Sequence, residues 1–294
     1  MNLIVITGQT ATGKTKLALK YAEKYSGELV NFDSRQVYKY LDIITGKDLP
    51  VSSVWLYDVV TPNQYFSSFE YIKLAQNAIY DIRSRGKTPI LVGGSYFYLK
   101  HLLYGFDYKV TPNFELREKL NKKTVEELQK ILKKLNPDSF NNINNSDRNN
   151  PRRLIRRIEI EKYNIMSPRR RTGSRLKINN LDWIPAFAGM TQNPVFIGLR
   201  YKDTHKLRQA ITTRVEHRLD QGAIEEVKKL IKMGYKKTDP GLKTIGYKQI
   251  FDYLEGSITK EKSIENWITA EVQYAKRQYT FMKKDKNIIW KEIT

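Results

Sequence analysis

The chain has 294 residues, enough for one large or two modest domains, and carries 52 Lys+Arg against 31 Asp+Glu, a formal net charge of +21. That excess favours a polyanionic partner and speeds encounter with it. The lack of cysteine excludes disulfides and Cys-ligated zinc, three scattered histidines make no metal cluster, and no apolar run reaches membrane-spanning length.

Leu3-Ile4-Val5-Ile6 reads as a buried strand that starts at once, which leaves no room for a leader peptide and predicts a cytoplasmic protein. Gly8, Gln9, Thr10, Ala11, Thr12, Gly13, Lys14 and Thr15 follow, and then a helical pattern with Leu17, Ala18, Tyr21 and Ala22 on one face. Strand, G-x-x-x-x-G-K-[ST] turn and helix together predict a loop that cradles a diphosphate or triphosphate. Its backbone N–H groups and the helix N-terminus converge on the anion. Lys14 adds a full charge, and the Thr15 hydroxyl is the expected ligand of an accompanying Mg²⁺.

Glu28 to Phe32 reads as the next buried strand, and Asp33-Ser34-Arg35-Gln36-Val37-Tyr38 leaves its carboxyl end. Ligands sit at that edge in open α/β sheets. A carboxylate at Asp33 suits three roles: holding Mg²⁺ through water, accepting a proton, or capping a helix. Val54 to Val59 and Thr88 to Val92 read as further strands around a helix from Phe69 to Arg85, and Gly93-Gly94-Ser95 turns into a new helix. This βα order implies a parallel sheet.

From Pro112 to about Lys162 the pattern is helical, with the Asn-rich stretch from Phe140 to Asn150 expected as a loop. Arg148 to Lys177 holds eleven Lys or Arg against two Glu. Within it Pro151 to Ile160 reads as an amphipathic helix with Leu154, Ile155 and Ile158 on its apolar face. Its arginines, paired on successive turns, can follow a phosphate backbone or form a solvated face. Ser167 to Asn193 shows no sustained period and is expected as an inserted loop. From about residue 204 to Lys286 the chain reads as helical, interrupted between Gly234 and Gly241. The fold class is therefore α/β: a phosphate-loop parallel sheet core with a helical insertion and a helical C-terminal part. The expected domains are 1–108 with 195–294 as catalytic core, and 109–194 as insertion, including the irregular loop 167–193.

Several motifs in order resemble the tRNA dimethylallyltransferases, the tRNA isopentenyltransferase family, over nearly the whole chain. G-P-T-A-x-G-K-T is matched by Gly8 to Thr15, D-S-x-Q-V-Y by Asp33 to Tyr38, and P-I-L-V-G-G-T by Pro89 to Ser95. The N-x-x-R-x-x-R-x-x-E-V helix is matched from Asn150 through Glu159, and R-I-x-x-R-V falls at Ala210 to Val215. G-Y-x-Q and K-R-Q-x-T-[WF] are matched by Gly246 to Gln249 and Lys276 to Phe281. Five positions depart. Gln9 replaces a proline, Ser95 a threonine and Ala210 an arginine, while Ile43-Ile44-Thr45-Gly46-Lys47 stands for I-G-T-A-K.

The resemblance implies transfer of a dimethylallyl group from dimethylallyl diphosphate to the exocyclic amine of an adenosine beside a tRNA anticodon, by a monomer with Mg²⁺. It implies Asp33 as general base, Lys14, Thr15 and Arg214 on the leaving diphosphate, and Thr10 near the reacting carbon. It assigns tRNA contacts to Asp33, Ser34, Arg35, Gln36, Ser95 and Arg117, and to Arg152, Arg153, Leu154, Ile155 and Arg156 as a clamp on the anticodon stem-loop. Further contacts fall on Lys243, Thr244, Ile245, Gly246, Tyr247 and Lys248, and on Lys276, Arg277, Gln278, Tyr279, Thr280, Phe281, Met282 and Lys283. Tyr247 and Phe281 are candidates to stack on bases. An adenylate isopentenyltransferase shares the loop and donor but has little use for the paired arginines. A phosphate-loop kinase transfers from ATP instead, and a non-catalytic RNA-binding module leaves Lys14, Asp33 and Arg214 without a task.

Overall fold

A computed structural model of the chain describes residues 3–47, 54–105, 110, 112–166 and 194–293. The expected irregular loop 167–193 lies outside them. The chain divides into two compact units, Met1–Gly105 with Ile184–Thr294, and Phe106–Trp183.

In the first unit every residue of β1 (Ile4–Gly8) is buried, as in a parallel strand covered on both faces. It feeds α1 (Lys14–Lys24), whose expected face of Leu17, Ala18, Tyr21 and Ala22 packs with Ile4, Ile6, Leu29 and Ile90. β2 (Gly27–Asn31) follows. β3 is only Val54–Trp55, shorter than the expected 54–59. Leu56 and Asp58 take φ of 69° and 56°, left-handed backbone through which a strand cannot continue. α2 (Ser68–Ser84) starts on a capping box of Ser67 and Glu70. β4 (Thr88–Val92) is fully buried, and α3 (Tyr96–Tyr104) follows it.

The second unit is helical: α4 (Phe114–Asn121), α5 (Val125–Leu135), α6 (Pro137–Asn141), α7 (Asn145–Arg148) and α8 (Pro151–Met166). The Asn-rich stretch is not one loop, because its asparagines start helices. Asn144 accepts from the Asp147 N–H at the start of α7, and Asn150 accepts from the Arg153 N–H at the start of α8. Leu154, Ile155 and Ile158 of α8 join Leu120, Leu128, Leu132 and Ile143 in one core. Beside it Glu159, 2 % exposed, accepts from the Asn113 N–H (2.6 Å) and from Arg117 (2.8 Å and 3.0 Å), and also pairs with Arg156. Burial opposes ionisation of Glu159, but these donors outweigh it and hold its pKa below the ordinary value.

The chain returns to the first unit in β5 (Val195–Tyr201), α9 (Thr204–Asp220), α10 (Ala223–Lys232), a 3₁₀ turn at Gly241–Lys243, α11 (Tyr247–Leu254), α12 (Lys260–Met282) and β6 (Ile289–Ile293). The stretch from 204 to Lys286 is helical as expected, and the two strands flank it. β5 and β6 extend one parallel sheet in the order β3-β2-β4-β1-β5-β6. β6 sits at the edge with no fully buried residue, so its sequence lacks the apolar run that marks β1 or β4. Because all strands are parallel, the loops after β1, β2 and β4 leave the same edge.

Candidate active site

At that edge the loop after β1 closes on itself. Gly13 adopts left-handed backbone, φ 73°, at the N-cap of α1, a conformation glycine reaches without steric cost. Thr12 Oγ1 and Lys14 Nζ both donate to the Gln9 carbonyl, at 2.7 Å and 2.6 Å. Gln9, where the resembled motif has proline, is buried and uses its amide. Its Oε1 accepts from the Tyr201 N–H at 2.8 Å, and its Nε2 donates to the Ala275 carbonyl at 3.5 Å. The loop is therefore tied to both β5 and α12. Burial, and then the Arg214 charge, lowers the Lys14 ammonium to a pKa of about 7, against the opposite pull of Asp33 and Glu271.

Across the sheet edge, buried Asn31 shapes the turn that carries Asp33. It accepts from the Asp33 N–H at 2.7 Å and donates to the Asp33 and Leu56 carbonyls. Asp33 Oδ1 accepts from the Arg35 N–H at 2.9 Å. One carboxylate oxygen thus caps the turn, and Oδ2 lies beside Gly94. Ser95 Oγ accepts from the Ser34 N–H at 2.9 Å, so the third loop is bonded to the second. Gln278 of α12 completes the linkage: its Oε1 accepts from the Thr10 N–H at 2.8 Å and its Nε2 donates to the Gly94 carbonyl at 3.0 Å. Tyr274, one turn earlier, keeps its phenol protonated through burial and the Asp33 charge.

The C-terminal helices add cations. Arg214 Nη1 donates to Thr10 Oγ1 at 2.5 Å. Arg218 pairs with Glu271 at 2.7 Å, both side chains being almost fully buried. Residues 42–47 wall the same space. Glu226 accepts from the Asp42, Ile43 and Ile44 N–H groups and from the Tyr247 hydroxyl. Lys47 Nζ reaches Asp42, Asp58 and the Tyr38 carbonyl. Ile44 is 2 % exposed and packs in the core beside Gly246. Together these segments enclose a cavity of about 710 Å³ lined by Thr10–Lys16, Asp33–Gln36, Arg214, Arg218, Glu271 and Tyr274. Arg35, Arg214, Arg218 and Arg277 all line it, so cations outnumber Asp33 and Glu271 even with Lys14 only partly charged, a field that suits a diphosphate.

The residues expected to meet RNA separate by burial. Lys276, Arg277, Thr280 and Phe281 lie exposed along α12 and Lys283 at its C-cap, with Phe281 57 % exposed, and Lys243 and Ile245 line the cavity. Tyr247 is fully buried with its hydroxyl on Glu226, so it cannot stack on a base. Met282 is fully buried against Thr7, and Thr244 Oγ1 donates to the Gly241 carbonyl. Gln278 serves the phosphate loop from within. Tyr279 bonds Arg200 and packs edge-on against Trp290. Gly246 starts α11, its N–H donating to Gln249, and Lys248 is exposed. In the second unit Leu154 and Ile155 are core residues, Arg117 and Arg156 hold Glu159, Arg153 pairs with Asp147, and Arg152 is exposed. Glu226, Arg218, Glu271 and Asn31 carry no motif signal that singles them out.

The chain matches the family described as IPP transferase over residues 36–285. A "tRNA dimethylallyltransferase" of Thermoanaerobacter sp. (strain X514) is 34 % identical over 303 residues, covering 99 % of this chain and 91 % of the relative. One of the same description from Clostridioides difficile (strain 630) is 36 % identical, with the same shares covered. Among solved structures, the tRNA isopentenylpyrophosphate transferase of Bacillus halodurans aligns with a TM-score of 0.69 at 32 % identity, covering 99 % of this chain and 89 % of that one. A eukaryotic dimethylallyltransferase described as acting on tRNA aligns with a TM-score of 0.74 at 25 % identity, covering 99 % of this chain and 73 % of that one. On the extent of these matches, the chain belongs to the IPP transferase family.

Proposed function

We propose that the chain transfers a dimethylallyl group from dimethylallyl diphosphate to the exocyclic amine of the adenosine 3′ to the anticodon of tRNA. The observation that carries this reading is the meeting, in one cation-rich cavity, of a phosphate loop with a carboxylate oxygen, Asp33 Oδ2, that has no hydrogen-bond partner among the described residues. Phosphoryl transfer to an acceptor also uses such a base, so the loop and carboxylate suit group transfer to a protic acceptor, and it is the family that points to the donor. Family membership supports the donor and the acceptor class. Among the described residues no helix is long and apolar enough to cross a membrane.

In the reaction the adenine amine attacks the allylic carbon. The new N–C bond forms as the C–O bond breaks, its electron pair leaves on diphosphate, and the amine proton passes to Asp33. The amine lone pair is shared with the ring, so proton removal during attack assists it. Lys14, the loop N–H groups and Arg214 stabilise the charge that grows on diphosphate, and Arg214 holds Thr10 at the loop. No group of three or more His, Cys, Asp or Glu able to hold a metal exists among the described residues. A Mg²⁺ would be held by the Thr15 hydroxyl together with the bound donor and would help to neutralise the diphosphate charge. The adenosine must be splayed from its loop to enter the cavity.

Incubation with labelled dimethylallyl diphosphate and either tRNA or AMP tests the reading: label enters tRNA, whereas label in AMP alone overturns it. A second expectation concerns the exposed arginines of α8. Arg152→Ala with Arg153→Ala weakens tRNA binding and flattens the slope of log K against log salt by about one unit or slightly less per lost phosphate contact. Equilibrium binding across a salt series measures it, with an unchanged slope marking a solvated face. Arg156 is left intact there because it holds Glu159.

A further inference from the structure

We propose that Arg218 is a second guanidinium of the diphosphate site, acting beside Arg214; this rests on the donor reading above. Ala210, Arg214 and Arg218 follow one another at four-residue steps on α9, so they share a face, and all three line the cavity. Ala210 takes the place of an arginine in the motif that this segment resembles. The face keeps two arginines, but the second lies one turn after Arg214.

The surroundings fit that placement. Arg218 Nη1 donates to Glu271 Oε1 at 2.7 Å, and the same oxygen accepts from Trp267 Nε1 at 2.9 Å. This anchor leaves Nη2 pointing to Gly46. A Cβ on Gly46 would lie 2.7 Å from Arg218 Nη2 and 2.8 Å from Arg214 Nη2, so the two guanidinium ends converge over a bare Cα. Gly46 also takes φ of 68°, a left-handed conformation that favours glycine. The motif has glycine at position 44 and alanine at 46; this chain has isoleucine and glycine. The change at 46 makes room for the second guanidinium.

Electrostatics points to an anion as the missing partner. Two guanidinium groups side by side repel, and among the described residues Arg214 hydrogen-bonds the neutral Thr10 hydroxyl and pairs with no carboxylate, leaving Glu271 to balance Arg218. Burial, and then Arg214, brings the Arg218 pKa down to about 10, so it is still charged at neutral pH. A buried ion pair used only for stability is readily replaced by apolar residues and has no reason to sit against another cation. A diphosphate bound by Lys14 and Arg214 supplies the missing charge.

The test uses inorganic pyrophosphate as probe, with calorimetry for its Kd, filter binding for tRNA and thermal melting for the fold. Arg218→Met with Glu271→Gln removes both charges together, and Arg218→Lys keeps the ion pair but loses Nη2. Each is expected to weaken pyrophosphate binding by about 10-fold or more and to raise KM for dimethylallyl diphosphate, with tRNA affinity unchanged. Wild-type pyrophosphate affinity in the double variant, or in Arg218→Lys should the double variant not fold, overturns the assignment. Equal losses of pyrophosphate and tRNA affinity also overturn it, since they mark a purely structural pair. A wild-type protein that binds no pyrophosphate overturns the donor reading and this inference with it.

Discussion

Asp33→Asn is expected to lower kcat by about 10²–10⁴-fold while donor and tRNA affinities stay close to wild type. The two oxygens of Asp33 have different tasks. Oδ1 accepts from the Arg35 N–H, and asparagine keeps an oxygen there, so the turn from Asp33 to Gln36 and its link to Ser95 survive. The group lost is Oδ2, the only one of the pair without a turn-forming bond, and an amide nitrogen in its place cannot take a proton. Single-turnover rates at saturating donor and tRNA isolate the chemical step from product release. A kcat near wild type removes Asp33 from the proton transfer and leaves it as a turn cap.

The parts of this site legible in the sequence are those governed by short-range rules. The phosphate loop needs a strand, two glycines and a helix within a few residues. The turns at Asp33 and Ser95 follow buried apolar strands, so their edge of the sheet followed from the βα order alone. Gln278 was legible as a motif residue but not in its role. Its partners Thr10 and Gly94 lie far back in the chain, and only the packing of α12 across the loops brings them together. The same holds for Glu271, 53 residues from Arg218, and for Glu226, 184 residues from Asp42. Runs assigned whole to RNA contact mislead for a simpler reason: a helix turns part of any run inward. Tyr247, Met282, Leu154 and Ile155 occupy those inward positions. β6, just beyond the helical reading that ends at Lys286, escaped because an edge strand open to solvent lacks a buried apolar run.

The loop residue with the largest expected effect is Lys14. Lys14→Ala is expected to lower kcat/KM for dimethylallyl diphosphate by about 10²–10³-fold, the scale of removing one donor from a preorganised anion site, and to leave tRNA affinity nearly unchanged. Its ammonium already bonds the Gln9 carbonyl within the loop, and Arg214 lies close enough to depress its pKa. The amine is thus held at the loop mouth by contacts that do not involve the acceptor. Alanine deletes that charge without disturbing the other loop bonds, since Gln9 remains fixed by Tyr201 and Ala275 and Thr10 by Gln278. Arg214 remains on Thr10, so residual donor binding persists and the loss appears in both kcat and KM. Steady-state kinetics with varied donor, together with direct tRNA binding, separates the two substrates. Parallel collapse of tRNA binding would mean that the loop serves the RNA, and the assignment of Lys14 to the donor would fail.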